Sequence, residues 1–141
     1  MAEVAQAALY RAVNQALTAS PTELWGLRVF PDLAKTGTAR PYVVFSYAGG
    51  GEINGLRKQD AEIVLIVKFI SENMAQAFTG AGRISAILND ADYSSSGALN
   101  AGSEWAILHV KQEQIVHLVE TVDGVQIYHA GHRFRFRMER V

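Results

Sequence analysis

The segment from Asp60 to Asn89 limits the possible fold most strongly, because a long apolar strand pattern runs directly into a helix pattern. Along residues 60–70 the side chains alternate between one wholly apolar face and one mostly apolar face. This is typical of a central strand covered on both sides. The sequence therefore predicts a sheet with at least one helix packed on it.

The helix pattern begins after Ser71 or Asn73, and either side chain can cap a helix N-terminus. Apolar residues then recur at three- and four-residue steps, as on one helix face: Met74, Ala77, Phe78, Ala81, Ile84 and Leu88. Gly80 and Gly82 lie within this helix. Close helix packing explains them more simply than a phosphate-binding loop, because no third glycine follows.

The N-terminal third predicts one helix, two strands and a long loop. Residues 2–19 are alanine-rich and periodic, which indicates a helix that ends before Pro21. Strands are expected over residues 27–30 and 42–47, with a flexible loop over residues 34–39. Residues 49–58 hold four glycines in their first seven positions, which favours a mobile hairpin loop.

The last forty residues predict a large hairpin, with residues 104–122 pairing with residues 125–140 around the turn dipeptide Asp123-Gly124. Changes in the parity of the apolar positions indicate bulges or bends near residues 112–114 and near Gly131, so the hairpin is expected to project beyond the main sheet. Residues 93–103 are expected to form an exposed loop. The fold class is α+β: one domain over residues 1–141, with two helices on a mostly antiparallel sheet of five or six strands.

Composition excludes several classes of function. The 141 residues include no cysteine, so thiolate metal sites and cysteine nucleophiles are impossible. A net charge of -1 argues against bulk electrostatic binding to nucleic acid or to an anionic membrane. The sequence begins without a signal-peptide pattern and has no apolar run that could span a membrane, so we expect no export and no membrane partner.

Charge is distributed unevenly in the C-terminal part. Residues 90–124 carry six acidic residues against Lys111, and residues 125–141 carry four arginines against Glu139. We therefore expect distinct acidic and basic zones on the folded surface.

Arg133, Arg135 and Arg137 alternate with apolar residues, which places three guanidinium groups in a row on one strand face. Two interpretations remain open. The row can be a solvated face paired with acidic residues of neighbouring strands. Alternatively, it can be a docking stripe for an acidic protein surface or, less well supported, for a nucleic-acid backbone.

No catalytic, cofactor or metal site is predicted. The four histidines are His109, His117, His129 and His132. They lack metal-ligand spacing and are expected to be polar residues of the hairpin. Residues 50–58 lack the Gly-Lys-Ser/Thr ending of a phosphate-binding loop, and no nucleophile elbow is present. We expect no enzymatic activity.

The order of the elements carries a resemblance to a known family. The relevant segments are residues 8–13 (ALYRAV), 28–31 (RVFP), 41–45 (PYVVF), 87–90 (ILND) and 128–136 (YHAGHRFRF), together with the apolar strand and Asp123-Gly124. In this order they resemble the tail terminator or tail completion proteins of long-tailed, siphovirus-like bacteriophages, which have relatives in prophages and gene transfer agents. The resemblance covers nearly the whole chain.

The resemblance implies a structural virion protein, located at the tail or neck and present in the host cytoplasm during assembly. Its subunits would form a homohexameric ring on the head-proximal end of the tail tube, stop tube polymerisation and join the tail to the head connector. The partners implied are other copies of the chain, the major tail tube protein and the head-tail connector protein. DNA would only pass through the lumen, and no cofactor is implied.

Exposure and charge, rather than a family motif, suggest the interface residues. They are Glu52, Leu56, Arg57 and Lys58 in the glycine-rich loop, and Arg133, Arg135 and Arg137 on the last strand. Two alternatives remain: another neck or head-tail joining protein, and a host α+β domain with a small-ligand-binding or enzymatic role.

Overall fold

The computed structural model describes residues 3–19, 24, 26, 28–54, 59–90, 97 and 99–141. The elements along the chain are α1 (Ala5–Thr18), β1 (Val29–Pro31), β2 (Tyr42–Asn54), β3 (Gln59–Ser71), α2 (Met74–Asp90), β4 (Trp105–Val122) and β5 (Val125–Arg140). The strands form one five-stranded sheet in the order β1-β2-β3-β5-β4. β1 is parallel to β2, and the other neighbours are antiparallel. The predicted α+β class is confirmed, and β3 is the central strand.

Both helices pack on one face of this sheet, because their apolar stripes need a common apolar surface. The alternate residues of β3 from Ala61 to Phe69 are buried on this helix face. They share one core with Leu9 and Leu17 of α1 and with Ile84 and Leu88 of α2. Each large side chain buried there contributes roughly 1.5–3 kcal/mol to folding.

The opposite face of β3, which we call the outer face, is covered differently. Val64 and Ile70 are buried, but no helix lies on this face within the described residues. Ile66 lies opposite Arg133 and Val64 lies opposite Arg135, so long basic side chains cover part of the apolar surface. β3 is therefore covered on both sides, as predicted, because none of its residues is exposed, but side chains rather than a helix cover this face.

The capping prediction for α2 is confirmed. Asn73 Oδ1 accepts a hydrogen bond of 3.0 Å from the Gln76 N–H, and Ser71 Oγ accepts one from the Asn73 N–H, also at 3.0 Å. The predicted apolar stripe is only partly correct, because Met74 and Phe78 remain 50% and 48% exposed. The other four members of the stripe are buried: Ala77, Ala81, Ile84 and Leu88.

The glycine-rich segment is not a mobile loop over the residues that the structure describes. β2 continues through it to Asn54 and pairs with β3 as far as Gln59. The register shifts between Tyr47 and Gly49, and Gly50 adopts a φ of +89° that favours glycine. Strand pairing therefore overrides the loop preference of these glycines, and the prediction of a loop over residues 49–54 is wrong.

The C-terminal hairpin is confirmed. Asp123 and Gly124 have φ angles of 51° and 78°, as a tight turn between two twisted strands requires. β4 contains register shifts between Ile107 and His109 and between Gln112 and Ile115, the second of which was predicted. β5 pairs with β3 without interruption, so the bulge predicted near Gly131 is absent.

The remaining predictions differ in their boundaries. α1 begins and ends inside the predicted range, and β1 begins two residues later than predicted and includes Pro31. Residues 93–96 and 98 of the loop predicted over residues 93–103 lie outside the described residues. Leu99 and Ala101 are buried in the core, so that part of the segment is not the exposed loop that its polar composition predicted.

Candidate interaction surfaces

The arginine row lies on the outer face, between the acidic residues of two neighbouring strands. Arg135 Nη1 is 2.5 Å from Glu62 Oε1 on β3, and Arg135 Nε is 3.1 Å from Glu113 Oε2 on β4. Arg137 Nη2 is 3.0 Å from Asp60 Oδ2, and its Nη1 is 3.5 Å from Glu62 Oε2. For Arg135 and Arg137, the interpretation as a paired, solvated face is therefore the one that the structure supports.

The pair of Arg135 and Glu113 stabilises the ionised forms of both partners. The hydrogen bond from Arg135 lowers the pKa of Glu113. Hydrogen bonds to Glu113 and then to Glu62 raise the pKa of Arg135. Each group favours the charge of the other, so the row remains an ion-pair ladder across the range in which carboxylates are ionised.

Arg133 differs from its neighbours in the row. Its side chain lies over the centre of the outer face, opposite Ile66, and makes no ion pair with the described residues. Its Nε is buried and lacks a hydrogen-bond partner in the described part of the chain. Within the predicted stripe, Arg133 is therefore the guanidinium that makes no ion pair with described residues. Its charge still acts on Glu113, where it adds to the lowering of the pKa that the hydrogen bond from Arg135 mainly causes.

The prediction of separate acidic and basic zones is wrong on this face. The C-terminal arginines meet the acidic side chains of both β3 and β4 across the sheet. The pairs of Arg135 and Arg137 are of this kind. On the helix side, Arg140 lies over the Trp105 ring, and its Nη1 is 3.8 Å from Glu104 Oε1. Segments of opposite sign that adjoin in sequence have folded into adjacent strands, so their charges are interleaved.

Glu52 lies at the N-terminus of α1, where an ionised carboxylate is favourable. Its Oε1 accepts a hydrogen bond of 2.9 Å from the Ala5 N–H, at a helix whose N-cap residue, Val4, gives no side-chain cap. This contact explains Glu52 within a single subunit, and an interface role for it stays a prediction. Leu56, Arg57 and Lys58 lie outside the described residues.

A second surface was missed by the sequence analysis. We define the hairpin end as residues 115–126, which form the distal part of β4, the turn and the start of β5. Ile115 is 76% exposed, and four further apolar side chains are between 40% and 50% exposed: Leu118, Val119, Val122 and Val125. β4 has a free edge because it is the last strand of the sheet. The sequence signal that could have indicated this surface is the absence of arginine and lysine between Gln112 and His132, a segment that is rich in apolar residues.

α2 extends the apolar surface of the hairpin end. The Phe78 ring lies 5.3 Å from the His117 ring, measured between centroids, and Phe78 is about half exposed. Met74, one turn earlier on the same helix, is equally exposed. Exposed apolar groups that cluster in this way are typical of an interaction site.

The other edge of the sheet, formed by β1, carries a different surface. We define the β1 edge as residues 28–41, which comprise β1 and the segment that follows it. Leu33 is 82% exposed, and Arg28 and Lys35 are exposed without an ion pair among the described residues. A pocket of about 440 Å³ lies at this edge, lined by Gly26, Arg28, Gly37, Thr38, Ala39 and Pro41.

Two of the histidines have contacts or shifts that the structure explains. His129 Nε2 lies 2.7 Å from Glu120 Oε1, and burial lowers the pKa of His132. Among the residues that the structure describes, no group of three or more histidine, aspartate or glutamate side chains could hold a metal ion. No helix within those ranges is long and apolar enough to cross a membrane.

The fold is similar to that of a chain in a solved structure. A chain from the virion of a native gene transfer agent particle superposes with a TM-score of 0.68 at 20% sequence identity. The match covers 98% of this chain and 99% of that chain. The two chains share one fold. No protein-family model and no curated protein matches the sequence.

Proposed function

We propose that this protein is a structural component of a phage-like particle, namely a tail terminator. Copies of the chain form a six-fold ring that caps the head-proximal end of the tail tube and stops its polymerisation. The ring then joins the tail to the head connector, and DNA passes through its lumen. The protein acts in the virion, after assembly in the host cytoplasm.

One observation carries the proposal: the whole fold, rather than a fragment, matches a chain of a gene transfer agent virion. The order of segments from residues 8–13 to residues 128–136 resembles the tail terminator family independently of that superposition. The surfaces also fit a structural role, because the exposed apolar hairpin end is suited to contact with protein.

Charged residues of the outer face belong to the proposal as contacts with another virion protein. Arg133, together with Arg135 and Arg137, forms the stripe, and Arg133 is the member that makes no ion pair with described side chains. Glu52, Leu56, Arg57 and Lys58 are proposed as a second set of contacts. Serine at all three arginine positions is expected to weaken assembly, and unchanged assembly would remove the stripe from the proposal.

A neck or head-tail joining protein is the alternative, since the fold alone does not distinguish positions within a tail. The two roles differ in the partner that they require. A terminator binds the end of the tube made by the major tail tube protein. A joining protein binds the connector and leaves the tube unaffected.

The test is the length distribution of tubes polymerised from the tail tube protein of the same particle, with and without this chain. The proposal predicts shorter tubes that carry additional density at one end in negative-stain images. Tubes of unchanged length and with bare ends, combined with binding to the purified connector, would reject the terminator role in favour of the joining role.

A further inference from the structure

We propose that the hairpin end of one subunit docks on the β1 edge of a second copy, so that subunits join head to tail. This inference rests on the proposed ring and adds the two surfaces that meet in it. Four properties of the described residues support it: exposed apolar area, charge, shape and position in the sheet.

The exposed apolar side chains of the hairpin end favour burial against another protein surface. A free strand edge in a monomeric protein is usually protected by lysine, proline or a covering element. β4 has a lysine only at Lys111, and its distal half instead exposes Ile115, Leu118 and Val119. Leu33, at 82% exposure, is a large apolar side chain of the β1 edge that a neighbouring copy could cover.

The two surfaces have opposite charge. The hairpin end carries Asp123 and Glu120, the second of which lies 2.7 Å from His129 Nε2 of the same chain, and it has no arginine or lysine. The β1 edge has three cations, Arg28, Lys35 and Arg40, against the single acid Asp32, so its net charge is positive. Arg28 and Lys35 make no ion pair with described residues, whereas Arg40 is paired with Glu72. Opposite charges at the rim of an apolar contact guide association and fix its orientation.

The shapes also correspond. β3 pairs with β5 only as far as Tyr128 opposite Ser71, so the turn and the adjoining residues extend past the end of the central strand. The β1 edge has a pocket that Arg28 helps to line. A projecting, acidic turn on one copy thus faces a concave, basic site on the next.

The positions of the surfaces determine the kind of assembly. The hairpin end belongs to one edge of the sheet and β1 to the other. A contact between two different patches is heterologous, and it generates a ring when the rotation between copies closes. Each subunit of such a ring therefore contacts two neighbours, one through its hairpin end and the other through its β1 edge.

Charge exchange tests this pairing. The hairpin variant combines Glu120→Lys with Asp123→Asn, which keeps a residue that tolerates a positive φ in the turn. The edge variant combines Arg28→Glu with Lys35→Glu. Each variant alone is expected to lose self-association by more than about tenfold in sedimentation or light scattering, because like charges then face each other.

Mixing the two variants is the decisive step. The lysine of the hairpin variant then meets the glutamates of the edge variant. The native hairpin end of the edge variant meets the native β1 edge of the hairpin variant, so association is expected to return. A chain carrying all four substitutions is expected to assemble alone. The control variant, Asn14→Lys with Gln15→Lys on the exposed side of α1, is expected to assemble as the wild type does.

Wild-type assembly in both single-surface variants would overturn the inference and leave the ring itself intact. Failure of the mixture and of the fourfold variant to assemble, with both folded by circular dichroism, would also overturn it. A wild-type chain that is monomeric at all concentrations would overturn self-docking. Tube capping then tests the terminator role separately.

Discussion

Gly50 occupies a position that only glycine fits without strain. Its φ of +89° is unfavourable for other residues, and an added Cβ would overlap the carbonyl oxygen of Glu62. Gly50→Ala is expected to lower the free energy of unfolding by at least about 2 kcal/mol. Gly49→Ala is the matched control, because an added Cβ there meets nothing within 4 Å. Urea denaturation of both variants checks the prediction, and equal stabilities would contradict it.

His132 makes the stability of the protein depend on pH. Burial lowers its pKa from the ordinary value of 6.5, and its Nδ1 is buried without a hydrogen-bond partner among described residues. As the pH falls below about 6.5, the unfolded chain takes up a proton that the folded chain does not, so stability decreases. This contribution is complete above that pH and is lost as the pH falls through the folded-state pKa.

His132→Gln removes this titration. The variant is expected to show a smaller loss of unfolding free energy than the wild type between pH 7.5 and pH 5.5, measured by urea denaturation. The same pH dependence in both proteins would show that another group causes the acid loss.

Residue contacts were the hardest features to predict from the sequence. Arg135 pairs with Glu62, 73 positions earlier in the chain, and with Glu113 on the other side of it. The alternation of residues 133–138 was enough to place the arginines on one face. Strand order, which no local pattern encodes, decided that carboxylates flank them on both sides.

At the scale of elements, α2 offers a direct test of how the helix packs on the sheet. A Cβ at Gly80 would overlap the ring of Phe69, whereas a Cβ at Gly82 would meet nothing within 4 Å. Gly80→Ala is expected to lower the free energy of unfolding by about 1–3 kcal/mol, because the added methyl group overpacks the contact with Phe69. Gly82→Ala is expected to raise the free energy of unfolding by up to about 1 kcal/mol, because alanine has a higher helix propensity than glycine. Thermal unfolding of the two variants should give shifts of opposite sign, and a stabilising Gly80→Ala would contradict the packing.

Elements with strong local signals were predictable. The apolar alternation of β3, the Asn73 cap and the Asp123-Gly124 turn each determine their own structure. The glycines of residues 49–51 favour a loop by themselves, but pairing with β3 holds them in a strand, which no local pattern predicts. The exposure of Phe78 was also unpredictable, since an apolar stripe does not show where the covering sheet ends.

At the scale of the whole molecule, the outer face and the sheet edges have different roles in the proposed assembly. The ion-pair ladder largely neutralises the outer face, apart from groups such as Arg133. The hairpin end and the β1 edge keep exposed apolar and charged groups of opposite sign. Edges that remain incomplete in one subunit are completed by the next, which is how a heterologous ring differs from a monomer.

The mass of the purified protein in solution, measured by light scattering over a concentration series, tests the central claim most directly. The ring proposal predicts a species of six times the 15.4 kDa chain mass, with closed rings in negative-stain images of the same sample. A single species at the mass of one chain over the whole series, with no rings in the images, would contradict self-assembly of the free protein.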